Sequence, residues 1–128
     1  HAVEINEELE SIIQKYWAKH PKYDQMHLHI GPAAQVLETL HRPWELIFLD
    51  ADKAGLLTYY EQLIPLMPSN AITLIDNILW SGKVTEPVAK NDKDTKAILA
   101  LNQHVANDPR VEQVILSARD GIMMVRKV

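Results

Sequence analysis

Glu45-Leu46-Ile47-Phe48-Leu49-Asp50 and Ala71-Ile72-Thr73-Leu74-Ile75-Asp76 are two short apolar runs, each closed by an acid. Neither alternates polar with apolar, so each predicts a strand covered on both faces, as in a parallel sheet. Between them Leu56, Leu57, Tyr60, Leu63, Ile64 and Met67 recur at helical spacing, and Pro68-Ser69-Asn70 closes the helix. Strand, helix and strand in this order form a βαβ unit, which sets the class as α/β.

The pattern extends outward from this unit. Upstream, residues 2–5 form a β-like run, and Asn6 is placed to cap a helix with Glu7 and Glu8 at its positive end. Leu9, Ile12, Ile13, Tyr16 and Trp17 fall on one face of that helix. Residues 26–30 read as a second strand, broken by Gly31-Pro32, and a short helix follows through Val36, Leu37 and Leu40. Downstream, the polar stretch 81–92 reads as a loop. Asp92 or Asp94 then starts a helix that carries Ile98, Leu101 and Val105 and ends at Asp108-Pro109. Residues 111–116 and 122–128 are β-like runs joined by Arg119-Asp120-Gly121, the signature of an antiparallel hairpin.

Composition excludes several classes of function. The chain has 128 residues and no cysteine, so a disulfide scaffold, a zinc-thiolate centre and a thiol nucleophile are out. A formal charge of −4 with no basic run argues against nucleic acid as a partner. Apolar runs of about half a dozen residues fall far short of the roughly 20 that span a bilayer. With no signal-like segment either, a cytoplasmic location is expected. The four glycines, at 31, 55, 82 and 121, stand alone, so neither a Gly-x-Gly-x-x-Gly turn nor a Walker loop is present. Ser81 lacks the glycine context of a hydrolase elbow.

The chemistry gathers at the strand ends. Ligands of open parallel sheets bind at the carboxyl ends of the strands. Neighbouring strands lie about 4.8 Å apart, so Asp50, Asp76 and Asn77 would converge there with two carboxylates and an amide oxygen. Like charges that close call for a cation, a shared proton or water. Hard oxygen donors favour Mg²⁺, Ca²⁺ or Mn²⁺ over zinc or copper. The alternative is that each Asp caps the turn or helix after it. Lys53, three residues beyond Asp50, is placed as a general base at the same edge, or as a solvated surface lysine. Glu4 ends the first strand, where an acid accepts ribose hydroxyls or marks a helix start. Gly31 permits close approach of a ligand or simply turns the chain. Trp80 is the indole placed to line a pocket.

Longer strings carry a family resemblance. Phe48-Leu49-Asp50-Ala51-Asp52-Lys53 and Asp76-Asn77-Ile78-Leu79-Trp80-Ser81-Gly82-Lys83-Val84 resemble the two signature blocks of the cation-dependent O-methyltransferases, the family of caffeoyl-CoA and catechol O-methyltransferases. Val3-Glu4-Ile5, Gly31-Pro32-Ala33, Tyr59-Tyr60-Glu61, Asn107-Asp108-Pro109-Arg110-Val111 and Asp120-Gly121 extend the resemblance along nearly the whole chain. It implies a Rossmann-like class I sheet that uses S-adenosylmethionine and a divalent metal, Mg²⁺ first. By the same resemblance Asp50, Asp76 and Asn77 hold the metal, and Lys53 assists deprotonation of a catechol-like acceptor. Glu4 binds the cofactor ribose, Gly31 and Ala33 flank the adenine, and Asp50 lies near the methionine part. A homodimer is also implied.

The chain departs from the family pattern at Gly55-Leu56, where Asn-Tyr is usual, and at Pro68-Ser69-Asn70, where Pro-Gly-Gly is usual. The family's glycine-rich first motif has no counterpart, and the chain opens on His-Ala-Val-Glu-Ile without Met. Residues 1–128 are therefore expected to be one incomplete methyltransferase domain, running from the second strand of a seven-stranded sheet to the carboxyl terminus. The first strand, in the middle of that sheet, would be missing. An inactive fragment and a non-catalytic α/β binding module are the alternative readings.

Overall fold

In the computed structural model, which describes residues 1–128, the chain folds as two units, His1–His41 and Arg42–Val128. In the first unit β1 (Ala2–Glu4) pairs in parallel with β2 (Leu28–Ile30), Glu4 opposite Ile30. The link between them is a helical crossover. Asn6 caps its first turn, its side chain accepting from the Glu8 N–H at 3.0 Å, and α1 (Glu10–Trp17) follows. The apolar stripe read from the sequence lies on α1, with Ile12 and Tyr16 exposed and Ile13 and Trp17 half-buried. After β2, Gly31 takes φ +144 and the short α2 (Ala33–Leu37) begins.

The second unit holds the expected parallel pair. β3 (Leu46–Leu49) lies beside β4 (Ile72–Asp76), with Leu49 opposite Ile75. α3 (Leu56–Leu63) connects them, extended by a 3-10 turn at Ile64–Leu66. The polar stretch contains another 3-10 segment, Trp80–Thr85, before α4 (Lys93–Ala106), which Asp92 caps through Thr95 N at 3.0 Å. β5 (Val111–Leu116) and β6 (Ile122–Lys127) form the hairpin. β6 inserts antiparallel beside β4, so the sheet order is β3-β4-β6-β5.

Strand periodicity decides where the core sits. Leu49, Thr73, Ile75, Met123 and Val125 share one face of the sheet and are buried. Leu56, Tyr60 and Ile64 of the α3 segment and Ile98, Leu101 and Val105 of α4 complete that core, all at 1% exposure or less. Each such apolar side chain contributes about 1.5–3 kcal/mol, so this layer dominates the unit's stability. The opposite face differs from the sequence expectation. Leu46 and Phe48 are 67% and 59% exposed, so β3 is not covered on both faces. β3 forms one edge of this four-stranded sheet, and α3 and α4 bury only the alternate residues.

Both departures from the family pattern have local explanations. Asn70 holds φ +69, a left-handed conformation that Asn tolerates better than most residues, so a turn usually made with glycine is kept. At Gly55 an added Cβ would lie 2.3 Å from the Tyr59 ring. That bare position lets the Tyr59 hydroxyl reach Asp52, at 2.6 Å, while Leu56 next to it is fully buried.

A charged network ties the helices to the strand that follows them. Arg110 donates to both oxygens of Asp108 and, through its two terminal nitrogens, to both of Glu61, at 2.7–3.2 Å. Tyr60 donates to Asp108 at 2.7 Å, and His104 Nε2 lies 2.5 Å from Glu61. The Asp108 side chain is 3% exposed, and the Arg110 guanidinium holds its carboxyl well below the usual carboxylate range. Stabilisation from this ion pair is therefore present above that range and is lost as pH falls through it. Asp108→Asn is expected to cost about 2 kcal/mol near neutral pH, because Arg110 keeps part of its hydration. Urea denaturation should show the gap between wild type and variant closing as pH drops from about 5 to about 2. A gap that does not change with pH would contradict this assignment.

Candidate active site

β3 ends at Leu49, and the next residues turn to feed α3. Asp52 caps that turn: Oδ2 accepts from Gly55 N at 2.8 Å, and Oδ1 accepts from the Tyr59 hydroxyl at 2.6 Å. Burial, then the hydrogen bond to Asp52, pushes the Tyr59 phenol up to about 12, so this clasp persists across the physiological range. Capping thus falls to Asp52, and the Asp50 side chain is left 56% exposed at the strand end. The turn that opens α3 is capped by Asp52 and not by Asp50.

The clasp also sets Lys53, the first residue of the capped turn. Its side chain is only 10% exposed, which overturns the surface-lysine reading. The Nζ donates to the Ala51 carbonyl at 3.2 Å and to Asn77 Oδ1 at 3.3 Å, and lies 3.9 Å from Asp50 Oδ1. It also sits 5.7 Å from the centre of the Trp80 ring, within range of a cation–π attraction. Asp50, Asn77, Lys53 and Trp80 are thereby brought to one end of the sheet.

Asp76 closes β4 one step beyond the pair Leu49–Ile75, and its Oδ1 accepts from Asn77 N at 2.7 Å. It serves its own turn with one oxygen and retains the other. The turn itself is unusual. Asn77, Trp80, Ser81 and Gly82 have φ of 62, 48, 53 and 81°. A left-handed conformation costs an L-residue about 1–2 kcal/mol, so three non-glycine residues in so short a span require outside restraint. Ile78 N donates to the Gly121 carbonyl at 3.2 Å and Leu79 N to the Asp120 carbonyl at 3.0 Å, while Ser81 N donates to the Asp120 carboxylate. Asn102 of α4 donates to the Ile78 carbonyl at 3.0 Å.

The sequence marked Asp120-Gly121 as a turn and as part of the family resemblance, without a contact to the site loop, and gave no part to Asn102. A local turn signal does not report contact with residues some 40 positions earlier. The information lies in the register, because Ile122 opposite Asp76 brings the hairpin turn against the residues that follow β4.

The first unit holds the other expected site residues. Glu4 Oε1 accepts from Asn6 N at 2.8 Å, and the Glu4 carbonyl accepts from Gly31 N at 2.9 Å. Glu4 and Gly31 are thus joined at the carboxyl end of the β1–β2 pair, with Ala33 opening α2.

The donor set at the end of β3 and β4 suits a hard divalent cation: two carboxylates and an amide oxygen, with no sulfur or imidazole. Asp50 Oδ1, Asn77 Oδ1 and the Ala51 carbonyl already surround one positive charge, the Lys53 ammonium. A second acidic group, Glu61, His104 and Asp108, has ligand atoms within 4.8 Å of one another beside a cavity of about 600 Å³. There the Arg110 guanidinium occupies both carboxylates. In this structure that cluster is satisfied as a salt-bridge network.

Comparison with known proteins gives the family and the fold. A family model described as O-methyltransferase matches residues 1–128. The chain is 37% identical over 119 residues to the probable caffeoyl-CoA O-methyltransferase 1 of Dictyostelium discoideum, covering 89% of this chain and 52% of that protein. It is 33% identical over 128 residues to caffeoyl-CoA O-methyltransferase 2 of Populus trichocarpa, covering 91% and 50%. The chain spans about half the length of the curated relatives it matches. Among solved structures, an SAH-bound methyltransferase of Podospora anserina superposes over 98% of this chain and 59% of its own, with TM-score 0.86 and 25% identity. An O-methyltransferase of Bacillus cereus in complex with SAH gives TM-score 0.90 at 24% identity, over 98% of this chain and 61% of its own. The fold is accordingly the Rossmann-like sheet of these methyltransferases. No helix is long and apolar enough to cross a membrane.

Proposed function

The chain belongs to the O-methyltransferase family, and on that premise we propose that it is part of a metal-dependent enzyme. That enzyme moves a methyl group from S-adenosylmethionine to a hydroxyl of a catechol-like small molecule. The observation that carries the proposal is the convergence on the Lys53 ammonium of Asp50 and Asn77, with Asp76 adjacent in sequence to Asn77. SAH in the Podospora anserina relative, at 25% identity, supports the choice of methyl donor.

In this reading Asp50, Asp76 and Asn77 hold a divalent cation, Mg²⁺ foremost. When bound, the cation supplies the positive charge that holds the acceptor's oxygens and acidifies a hydroxyl. Lys53, as the neutral amine left once its ammonium has passed a proton to solvent, would take the hydroxyl proton from a position that the Asp52–Tyr59 clasp fixes. The indole of Trp80 forms a wall for the flat acceptor. Glu4 accepts the ribose hydroxyls of the cofactor, with Gly31 and Ala33 beside its adenine. Alignment of nucleophile, methyl and leaving sulfur supplies much of the acceleration, and because the sulfonium is itself the electrophile no covalent enzyme intermediate is required. The family resemblance adds a homodimer.

In the full-length protein, Asp76→Ala is expected to abolish the methyl transfer that Mg²⁺ supports, at least a hundredfold in turnover. Radiometric transfer to a panel of catechols, with and without chelator, checks this, and full activity in the variant would remove the metal assignment. Lys53→Ala is expected to lower kcat by about 10²–10⁴-fold with little change in cofactor affinity. Steady-state kinetics separate the two quantities; an unchanged kcat would exclude Lys53 as the base.

A further inference from the structure

The turn between β5 and β6 has no part in the reaction as described, yet it closes on the residues that follow the site's strand. The register explains why. Asp76 pairs with Ile122, so Gly121 and Asp120 stand immediately beyond the end of β4. Three of the next residues of the site loop are held there: Ile78 and Leu79 by the Gly121 and Asp120 carbonyls, and Ser81 by the Asp120 carboxylate. Gly121 has φ +81, and an added Cβ would lie 2.4 Å from Leu79, so the turn seats closely against the loop. Only one of these restraints is a side chain, and it acts on the least favourable part. Trp80 and Ser81 are consecutive non-glycine residues in the left-handed region, and Gly82 beside them has open space around it.

We propose that Asp120 is a positioning residue for the acceptor side of the site. Its carboxylate, by accepting the Ser81 N–H, fixes the left-handed pair Trp80-Ser81 and so holds the Trp80 indole beside Lys53. The inference rests on the function proposed above for its meaning in catalysis. The clamp itself rests only on the geometry of residues 76–82 and 118–122.

The chemistry makes a specific distinction. An Asn at position 120 keeps a side-chain carbonyl oxygen that can accept from Ser81, while an Ala keeps nothing. The backbone carbonyls of residues 120 and 121 remain in both variants. Loss of the side-chain acceptor should therefore loosen the indole and leave the strand ends in place. The acceptor should suffer and the methyl donor should not.

The test compares Asp120→Ala and Asp120→Asn in the full-length protein, with kinetics in both substrates and amide hydrogen exchange at Ser81. In Asp120→Ala the KM for a catechol acceptor is expected to rise about tenfold, the loss of one hydrogen bond to a charged group. The KM for S-adenosylmethionine should stay within about twofold, and the Ser81 amide should exchange at least tenfold faster. Asp120→Asn should restore most of the acceptor KM and of the protection. Equal loss toward both substrates, or failure of Asn to rescue, would overturn the positioning role. Should the wild-type protein transfer no methyl while Ser81 is protected through Asp120, the proposed function fails and the clamp stands. Unchanged Ser81 exchange in Asp120→Ala would refute the clamp whatever the activity.

Discussion

Everything at the candidate site depends on one pairing, the parallel register of β3 and β4 that sets Leu49 opposite Ile75. Strand geometry converts that register into chemistry. The residues after an aligned pair are themselves neighbours, so Asp50 and Asp76 leave the sheet about one strand spacing apart. Two carboxylates held that close repel unless a positive charge lies between or beside them. The chain supplies one from within, since the turn that Asp52 caps places Lys53 on Asn77 and near Asp50. A slip of one residue in the pairing would send buried Ile75 to the opposite face and separate the acids. The core behind the sheet is therefore also what defines the site.

The same register organises the other side of β4. Because β6 pairs antiparallel with β4, its hairpin turn lands on the loop that follows Asp76. That loop runs through several left-handed residues, a conformation with a local cost that only surrounding contacts can offset. Left-handed backbone there stands beside the half-buried Trp80 indole and the part-buried Lys53, which reaches Asn77 and Asp50. The Arg110 network is different in kind. It joins α3, α4 and the start of β5 through a largely buried Asp108, and its groups are already satisfied by one another.

Much of this was legible in the residues. The acid-ended apolar runs identified the parallel pair, and Arg119-Asp120-Gly121 identified the hairpin, because these signals are local. Asp50, Lys53, Asp76 and Asn77 were singled out from strand-end position and motif, and the structure brings Asp50, Lys53 and Asn77 together. Burial of both faces of β3 was not borne out, since an apolar run records what a strand tolerates and not which elements cover it. The roles of Asp52, Asn102 and Asp120 were not legible. Each depends on a contact set by register or by a helix passing at a distance, for which a single sequence carries no periodic signal. Lys53 was open between base and surface residue, and its position against Asn77 and Trp80 removes only the surface reading.

The central claim is that Asp50, Asp76 and Asn77 form a single divalent-cation site. Direct titration of Mn²⁺ into the full-length protein, followed by electron paramagnetic resonance of the free ion, tests it without reference to turnover. The account predicts one Mn²⁺ bound per chain, displaced by Mg²⁺, and lost in Asp50→Ala while Glu61→Ala retains it. Stoichiometric binding that survives Asp50→Ala, or that disappears with Glu61→Ala, would contradict it.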